Sequence, residues 1–317
     1  MKKYLEDLRQ ELQKQKLTSK EIEEIIADHE EMIRTAMEEG LSEEQIKAKF
    51  GQPKQVAEEL ADNNEDVVAE QDDNDDLVLW KTYQVEHDSL SVDVNLISED
   101  ITYQLSDSSE IKVYYEGKAK VEKYEISYEK NEFRLSAPKR LGFNFSFGKG
   151  DDLRFVVELP KHVVVKELKH VTISSDSTFK NLKVNDLKVN TTSGDLVITH
   201  NQIEKFKLNS VSGDCSIEDS KIVEFNLSQV SGDTELDHVT ISGNFKANTV
   251  SGDVELNDVT CEDFEMHAVS GDVDGKEFYP KKVTLKSVSG DVNIKNQEKR
   301  YIEIVKKSTL SGEINIG

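Results

Sequence analysis

The chain has 317 residues, with 40 Lys and Arg against 63 Asp and Glu, a net charge of −23 and a pI near 4.8. Such a field repels nucleic-acid phosphates and anionic lipid head groups, so no direct nucleic-acid partner is expected and membrane contact is expected only through a partner. The two cysteines, Cys215 and Cys261, lie in no C-x-x-C or Cys/His spacing, so neither a disulfide framework, a zinc site nor any cofactor is expected.

The N-terminal "MKKYLEDLRQEL" carries Glu6, Asp7 and Arg9 where a secretory signal needs an apolar run. Nor does any stretch of about 18 apolar residues occur that could span a bilayer. A cytoplasmic location, with membrane association through a partner, is therefore the expectation. Residues 1–60 read as a small helical domain. Thr18 and Glu21 make a capping box inside a Leu17/Ile22 staple, and Ser42 with Gln45 repeats it inside Leu41/Ile46. Gly40 ends the helix before, Gly51 ends the third, and Pro53 opens a fourth from its first turn. Ile22, Ile25, Ile26, Ile33 and Met37 form one apolar stripe, and His29 falls on it as a core-edge side chain rather than a metal ligand.

The stretch "HEEMIRTAMEEGLSEEQIKAKFGQPKQVAEEL", residues 29–60, resembles the HTH-associated α-helical signalling domain, HAAS, through Gly51, Gln52, Pro53, Val56, Ala57 and Leu60. The resemblance implies an adaptor whose helices contact a protein partner, such as a PadR-type regulator or a membrane sensor. Residues 61–77 form an acidic tether, too poor in apolar side chains to order themselves.

From Leu77 to about Pro160 the pattern alternates, as in "SLSVDVNLI", "DITYQL" and "LRFVVELP". This predicts strands over 78–160 that cap the C-terminal half of the chain, either as a sandwich-like layer or as irregular early coils. Over 161–317 a period emerges. Gly194, Gly213, Gly232, Gly252, Gly271, Gly290 and Gly312 recur every 19 to 22 residues, mostly in the phrase Val-Ser-Gly-Asp, with Ser175-Asp176 as a degenerate earlier copy.

Two residues after each Gly stand Leu196, Cys215, Thr234, Val254, Val273, Val292 and Ile314, and four after stand Ile198, Ile217, Leu236, Leu256, Gly275, Ile294 and Ile316. Further along come Phe206, Phe225, Phe245, Phe264, Val283 and Ile302, then Leu208, Leu227, Ala247, Met266, Leu285 and Ile304. A unit so short cannot close a core, whereas coils stacked about 4.8 Å apart bury continuous ladders. The predicted fold is mainly β, a parallel β-helix or β-solenoid behind irregular strands and a helical head. Cys215 and Cys261 then fill apolar slots as small hydrophobes.

Each Gly is expected to turn a corner at positive φ. Asp195, Asp214, Asp233, Asp253, Asp272 and Asp291 fall in one file whose repulsion turn hydrogen bonds or, less simply, a cation ladder must offset. This Ser-Gly-Asp region, with the "VVELP" strand, is similar to an adhesin-like β-strand-repeat family that includes LiaG-like and LiaX-like proteins of Gram-positive cell-envelope stress systems. That family supplies no catalytic residues to carry over. No Walker loop, G-x-S-x-G elbow or H-E-x-x-H occurs, and "FGKG" at 147–150 reads as a hairpin.

A non-enzymatic binding scaffold is therefore the expectation, with a surface adhesin and a carbohydrate-active β-helix as alternatives. The C-terminal "LSGEINIG" shows no polar cap, which predicts self-association through the last coil.

Overall fold

The computed structural model describes residues 1–15, 77–117, 120–138 and 153–317, with scattered positions between 22 and 57. The chain divides into a helical unit within residues 1–73 and a β unit of residues 74–138 and 151–317. Thr18, Glu21, Met37, Gly40, Leu41, Gln45, Gly51, most of the tether and residues 147–150 lie outside the described residues.

In the helical unit, helix α1 spans Lys2–Leu12 and buries Tyr4, Leu8 and Leu12, spaced one helical turn apart. These side chains share a core with Ile22, Ile26, Ile33, Ile46, Val56 and Ala57, while Ile25 packs at its margin. His29 is buried at that core with Nδ1 2.9 Å from the Ile25 carbonyl oxygen, a packed helix-face position.

In the β unit, one hydrogen-bonded sheet winds into a solenoid of about eight turns of roughly 19 residues. Each regular turn has a short and a long strand, as in Leu196–Thr199 followed by Gln202–Ser210, and stacks in parallel on the next at Leu196↔Cys215 and Phe206↔Phe225. Alternation dictates the result: side chains at every second position point inward, so residues one period apart fall on top of one another. Leu196, Cys215, Thr234, Val254, Val273, Val292 and Ile314 are successive register partners. The Phe206–Phe225 and Phe225–Phe245 rings stack at 4.7 and 4.9 Å, with planes within 5° of parallel.

Gly275 interrupts the second ladder, and the side chain of Phe278 occupies the vacated space. Phe264 is already tilted by 38° against Phe245, and Phe278 meets it edge-on at 5.0 Å, where the column of rings ends. Cys215 and Cys261 are buried, and burial pushes both thiols up, Cys215 to about 12.

The last turn departs from the expected columns. Val283 pairs with Ile304 rather than Ile302, and Leu285 with Lys307 rather than Ile304, across a register shift at Val283/Thr284. The cause is a longer coil, in which Asn296 and Arg300 close an extra loop and Arg300 lies over the Tyr279 ring at 4.1 Å. The strand Glu303–Ser308 is exposed throughout.

The stretch 78–160 is part of the same stack. Strand Ser89–Asn95 pairs in parallel with Val164–Ser174 on one side and Glu132–Ser136 on the other. Strand Asp100–Ser106 does likewise with Ser177–Lys180 and Arg154–Pro160. The outermost rung is thus built from strands Glu132–Ser136 and Arg154–Pro160, and the chain's first rung, 89–106, is inserted beneath it. Antiparallel strands Glu110–Glu116 and Glu125–Glu129 cover that outer rung, and Val78–Gln84 pairs with the former. These antiparallel strands protect the end where an open parallel edge would invite pairing.

A second corner carries no glycine. Asn181, His200, Asp219, His238, Asp258 and Glu277 all adopt φ between 47° and 59°. Asn, Asp and His, which fill five of the six positions, are the side chains that tolerate this region, and all six are exposed. Beneath it the buried Asn201 accepts from the Leu182 N–H at 2.7 Å and donates to the Phe179 carbonyl at 2.9 Å, which holds two turns together.

Candidate functional site

The Ser-Gly-Asp edge is the most regular polar feature of the surface. At its glycines a Cβ would stand 2.2 Å from the Ser175 carbonyl oxygen at Gly194, 2.2 Å from that of Gly194 at Gly213, and 1.8 Å from that of Gly232 at Gly252. The same approach recurs at Gly271, Gly290 and Gly312, each against the glycine one turn earlier. Only Gly194, Gly213 and Gly232 have the positive φ expected of a corner glycine; Gly252, Gly271, Gly290 and Gly312 do not. Close passage of one backbone over another is therefore the requirement common to all seven, and the corner conformation an extra demand at three.

The aspartates then bridge the gap that the missing side chains permit. The Asp214 N–H donates to Asp195 Oδ1 at 2.9 Å, Asp233 to Asp214 at 2.8 Å, Asp253 to Asp233 at 3.0 Å, Asp272 to Asp253 at 2.8 Å and Asp291 to Asp272 at 2.7 Å. Glu313 closes the series onto Asp291 at 2.7 Å. At the other end Asp195 donates to Asp176 Oδ1 at 2.8 Å and Asp176 to Asp100 Oδ1 at 2.9 Å. Each carboxylate thus fixes the backbone of the next turn. Serine hydroxyls run alongside, Ser231 to the Val211 carbonyl and Ser251 to that of Val230.

This arrangement is a structural seam with its charges facing water. Like charges one strand spacing apart repel, and a hydrogen bond from a backbone N–H to a charged acceptor, at about 1.5–3 kcal/mol, offsets that repulsion turn by turn. Among the described residues, no group of three or more His, Cys, Asp or Glu side chains is arranged to hold a metal ion. Asp195, Asp214, Asp233, Asp253, Asp272 and Asp291 have one oxygen each committed to the backbone, which leaves a poor donor set for the six to eight oxygens that calcium takes.

Sequence reasoning missed two features. Ile97-Ser98-Glu99-Asp100 is a further copy of the edge, obscured because Glu stands in place of Gly and its rung is stacked out of chain order. Glu99 is buried and accepts from the Ile97 N–H at 2.7 Å and the Tyr124 hydroxyl at 2.6 Å. The second is a buried string in which Tyr103 Oη lies 2.9 Å from His170 Nδ1 and His170 Nε2 lies 2.8 Å from Ser177 Oγ. A serine beside a histidine invites a nucleophilic reading. Yet all three are buried, and Tyr103 stacks on Phe179 at 4.8 Å inside the core. Polar residues in apolar columns were the available signal: His170 is register partner to Val189, and Ser177 to Leu196.

Burial pulls the His170 imidazole down to about 3, so the folded ring is neutral where the unfolded one, titrating near 6.5, takes a proton. Its contribution to stability is complete above pH 6.5 and is lost as pH falls from there toward 3. Chemical denaturation at pH 6 and pH 4.5 should show the parent losing about 1.4 kcal/mol per pH unit more than His170→Gln. Equal slopes in the two proteins would show that His170 does not titrate this way.

Comparison with known proteins agrees with this geometry. A model of the family described as Toastrack DUF4097 matches residues 87–248 and 242–316, and the HAAS model matches residues 3–59. Among curated proteins none matches. A solved structure from Parabacteroides distasonis, named a "putative lipid binding protein", is similar at 17% identity and a TM-score of 0.52, over 74% of this chain and 96% of that one. A "putative adhesin" from Bacteroides fragilis is similar at 16% identity and a TM-score of 0.46, over 76% of this chain and 97% of that one. At 17% identity the first of these likenesses concerns the fold alone. The β-solenoid with its Ser-Gly-Asp edge belongs to the DUF4097 toastrack family, joined here to an N-terminal HAAS domain.

Proposed function

We propose that this chain is a non-enzymatic binding scaffold, an adaptor in bacterial cell-envelope stress signalling. Its HAAS helices engage a regulatory protein, and its β-solenoid displays a long surface to a second protein or ligand. One observation carries the reading: the repeated acids that could suggest chemistry, from Asp100 to Asp291, each accept a backbone hydrogen bond from the next turn, so the edge is built to hold a rigid surface. Repeat folds of this kind act through extended faces. Glycan hydrolysis needs two carboxyl groups in contrasting environments across a groove, whereas these acids share one environment and one file.

In-cell cross-linking of the full chain, compared with a chain that begins at Asn74, tests the assignment. The expected result is a transcription regulator or membrane sensor captured by the full chain and lost with the helices. Hydrolysis of a wall polysaccharide by the purified chain, abolished in an Asp233→Asn, Asp253→Asn variant, would overturn it.

A further inference from the structure

The residue that precedes each Ser-Gly-Asp draws a second line along the solenoid. Ile173, Val211, Val230, Val250, Val269 and Val288 all face water, each between 45% and 53% exposed, and Leu310 is 83% exposed. Only Thr192 breaks the apolar series. The backbone stays stacked beneath them, with the Val211 N–H on the Thr191 carbonyl and the Val230 N–H on that of Ser210. At an inter-strand spacing of about 4.8 Å the stripe runs roughly 34 Å. An apolar strip of that length, interrupted at one rung by Thr192, on a chain so rich in charge marks an interaction surface.

The flanks of the stripe select the partner. Three residues further along each turn stands the acid file. Two residues earlier stands the column Asn190, Asn209, Ser228, Asn248, His267 and Lys286, whose members are register partners. Beyond that column lie Lys188, Lys207, Asn226 and Lys246, with Glu265 the one acid among them and paired to Lys246. One flank is therefore anionic and the other rich in hydrogen-bond donors. A surface with opposite flanks about an apolar midline is complementary to itself in one orientation. A two-fold axis across the stack would set acid file against acid file, whereas an axis along it sets each acid file against the partner's donor column.

We infer that two copies of this chain associate side by side through the valine stripe, with their solenoids parallel and equivalent rungs level. Stripe and flanks together form a strip of about 34 by 20 Å, comparable to the roughly 800 Å² per partner of a stable complex.

The test uses the full chain in sedimentation velocity across a dilution series. A concentration-dependent dimer is expected, and Val230→Lys with Val250→Lys should make it monomeric without changing its thermal unfolding. Val211→Cys and Val269→Cys, tested separately, should each form a disulfide-linked dimer, because level rungs bring every position to its own copy; the native thiols are buried and do not interfere. A parent monomeric at every concentration overturns the inference. So does a dimer that survives the lysine variant, which would place the contact elsewhere, for example on the last turn. Cross-linking at only one cysteine position would establish an antiparallel pair and refute the level arrangement. Flotation of a monomer with phosphatidylcholine vesicles, lost in the lysine variant, would assign the stripe to lipid instead.

Discussion

Gly252→Ala should destabilise the β unit by more than about 3 kcal/mol, at the upper end of what overpacking costs. Its Cβ would stand 1.8 Å from the Gly232 carbonyl oxygen, a backbone atom that cannot swing aside. Relief requires the two turns to separate locally, and separation stretches the Asp253 N–H bond to Asp233 and the Ser251 N–H bond to the Val230 carbonyl. Position 252 is informative because its φ lies outside the left-handed region, unlike that of Gly213. If these glycines served only to turn corners, alanine at 252 would be benign while alanine at 213 would not. Urea denaturation of both variants separates the explanations. A loss below about 1 kcal/mol at 252 would rule out close passage as the reason for the glycine.

Phe225→Ala should cost about 3–5 kcal/mol. Its ring is buried between Phe206 at 4.7 Å and Phe245 at 4.9 Å, so truncation opens a void with aromatic walls on two sides. Interiors at crystal-like density do not collapse to fill such a gap, and the stacking energy, about 0.5–1.5 kcal/mol per pair, is lost as well. Phe225→Leu should recover more than half of the loss, since Leu227 and its neighbours already show that branched aliphatics stack at this spacing. Equal destabilisation by both substitutions, read from urea midpoints at constant slope, would show that ring stacking rather than volume dominates.

The repetitive part of the fold was legible because one constraint is imposed on every turn. Parallel stacking puts residues 19 or 20 apart in contact, so the Phe206–Phe225–Phe245–Phe264 column could be written from the sequence and is observed in the register. Legibility failed where that constraint is relaxed. The rung of strands Glu132–Ser136 and Arg154–Pro160 sits outside the 89–106 rung, an inversion of chain order that no local pattern encodes. The extra loop at Asn296–Arg300 then shifts Val283 onto Ile304, a bulge that column counting passes over. The acid file was readable as a file, but its extension to Asp100 was hidden by Glu99. His170 escaped notice because a buried polar residue is intelligible only once Tyr103 and Ser177, distant in sequence, are seen against it.

At the Ser-Gly-Asp edge the aspartates act as acceptors for the neighbouring turn, and what the fold requires of them is the acceptor oxygen. The most direct test converts Asp195, Asp214, Asp233, Asp253, Asp272 and Asp291 together to Asn and tracks thermal unfolding by circular dichroism. Asparagine keeps an Oδ1 acceptor for each N–H and removes the repulsion between stacked carboxylates, so the variant should fold and melt at or above the parent temperature; the same six positions as Ala should melt far lower. An Asn variant that unfolds as readily as the Ala variant would contradict this role, because the negative charge itself would then be what the edge requires.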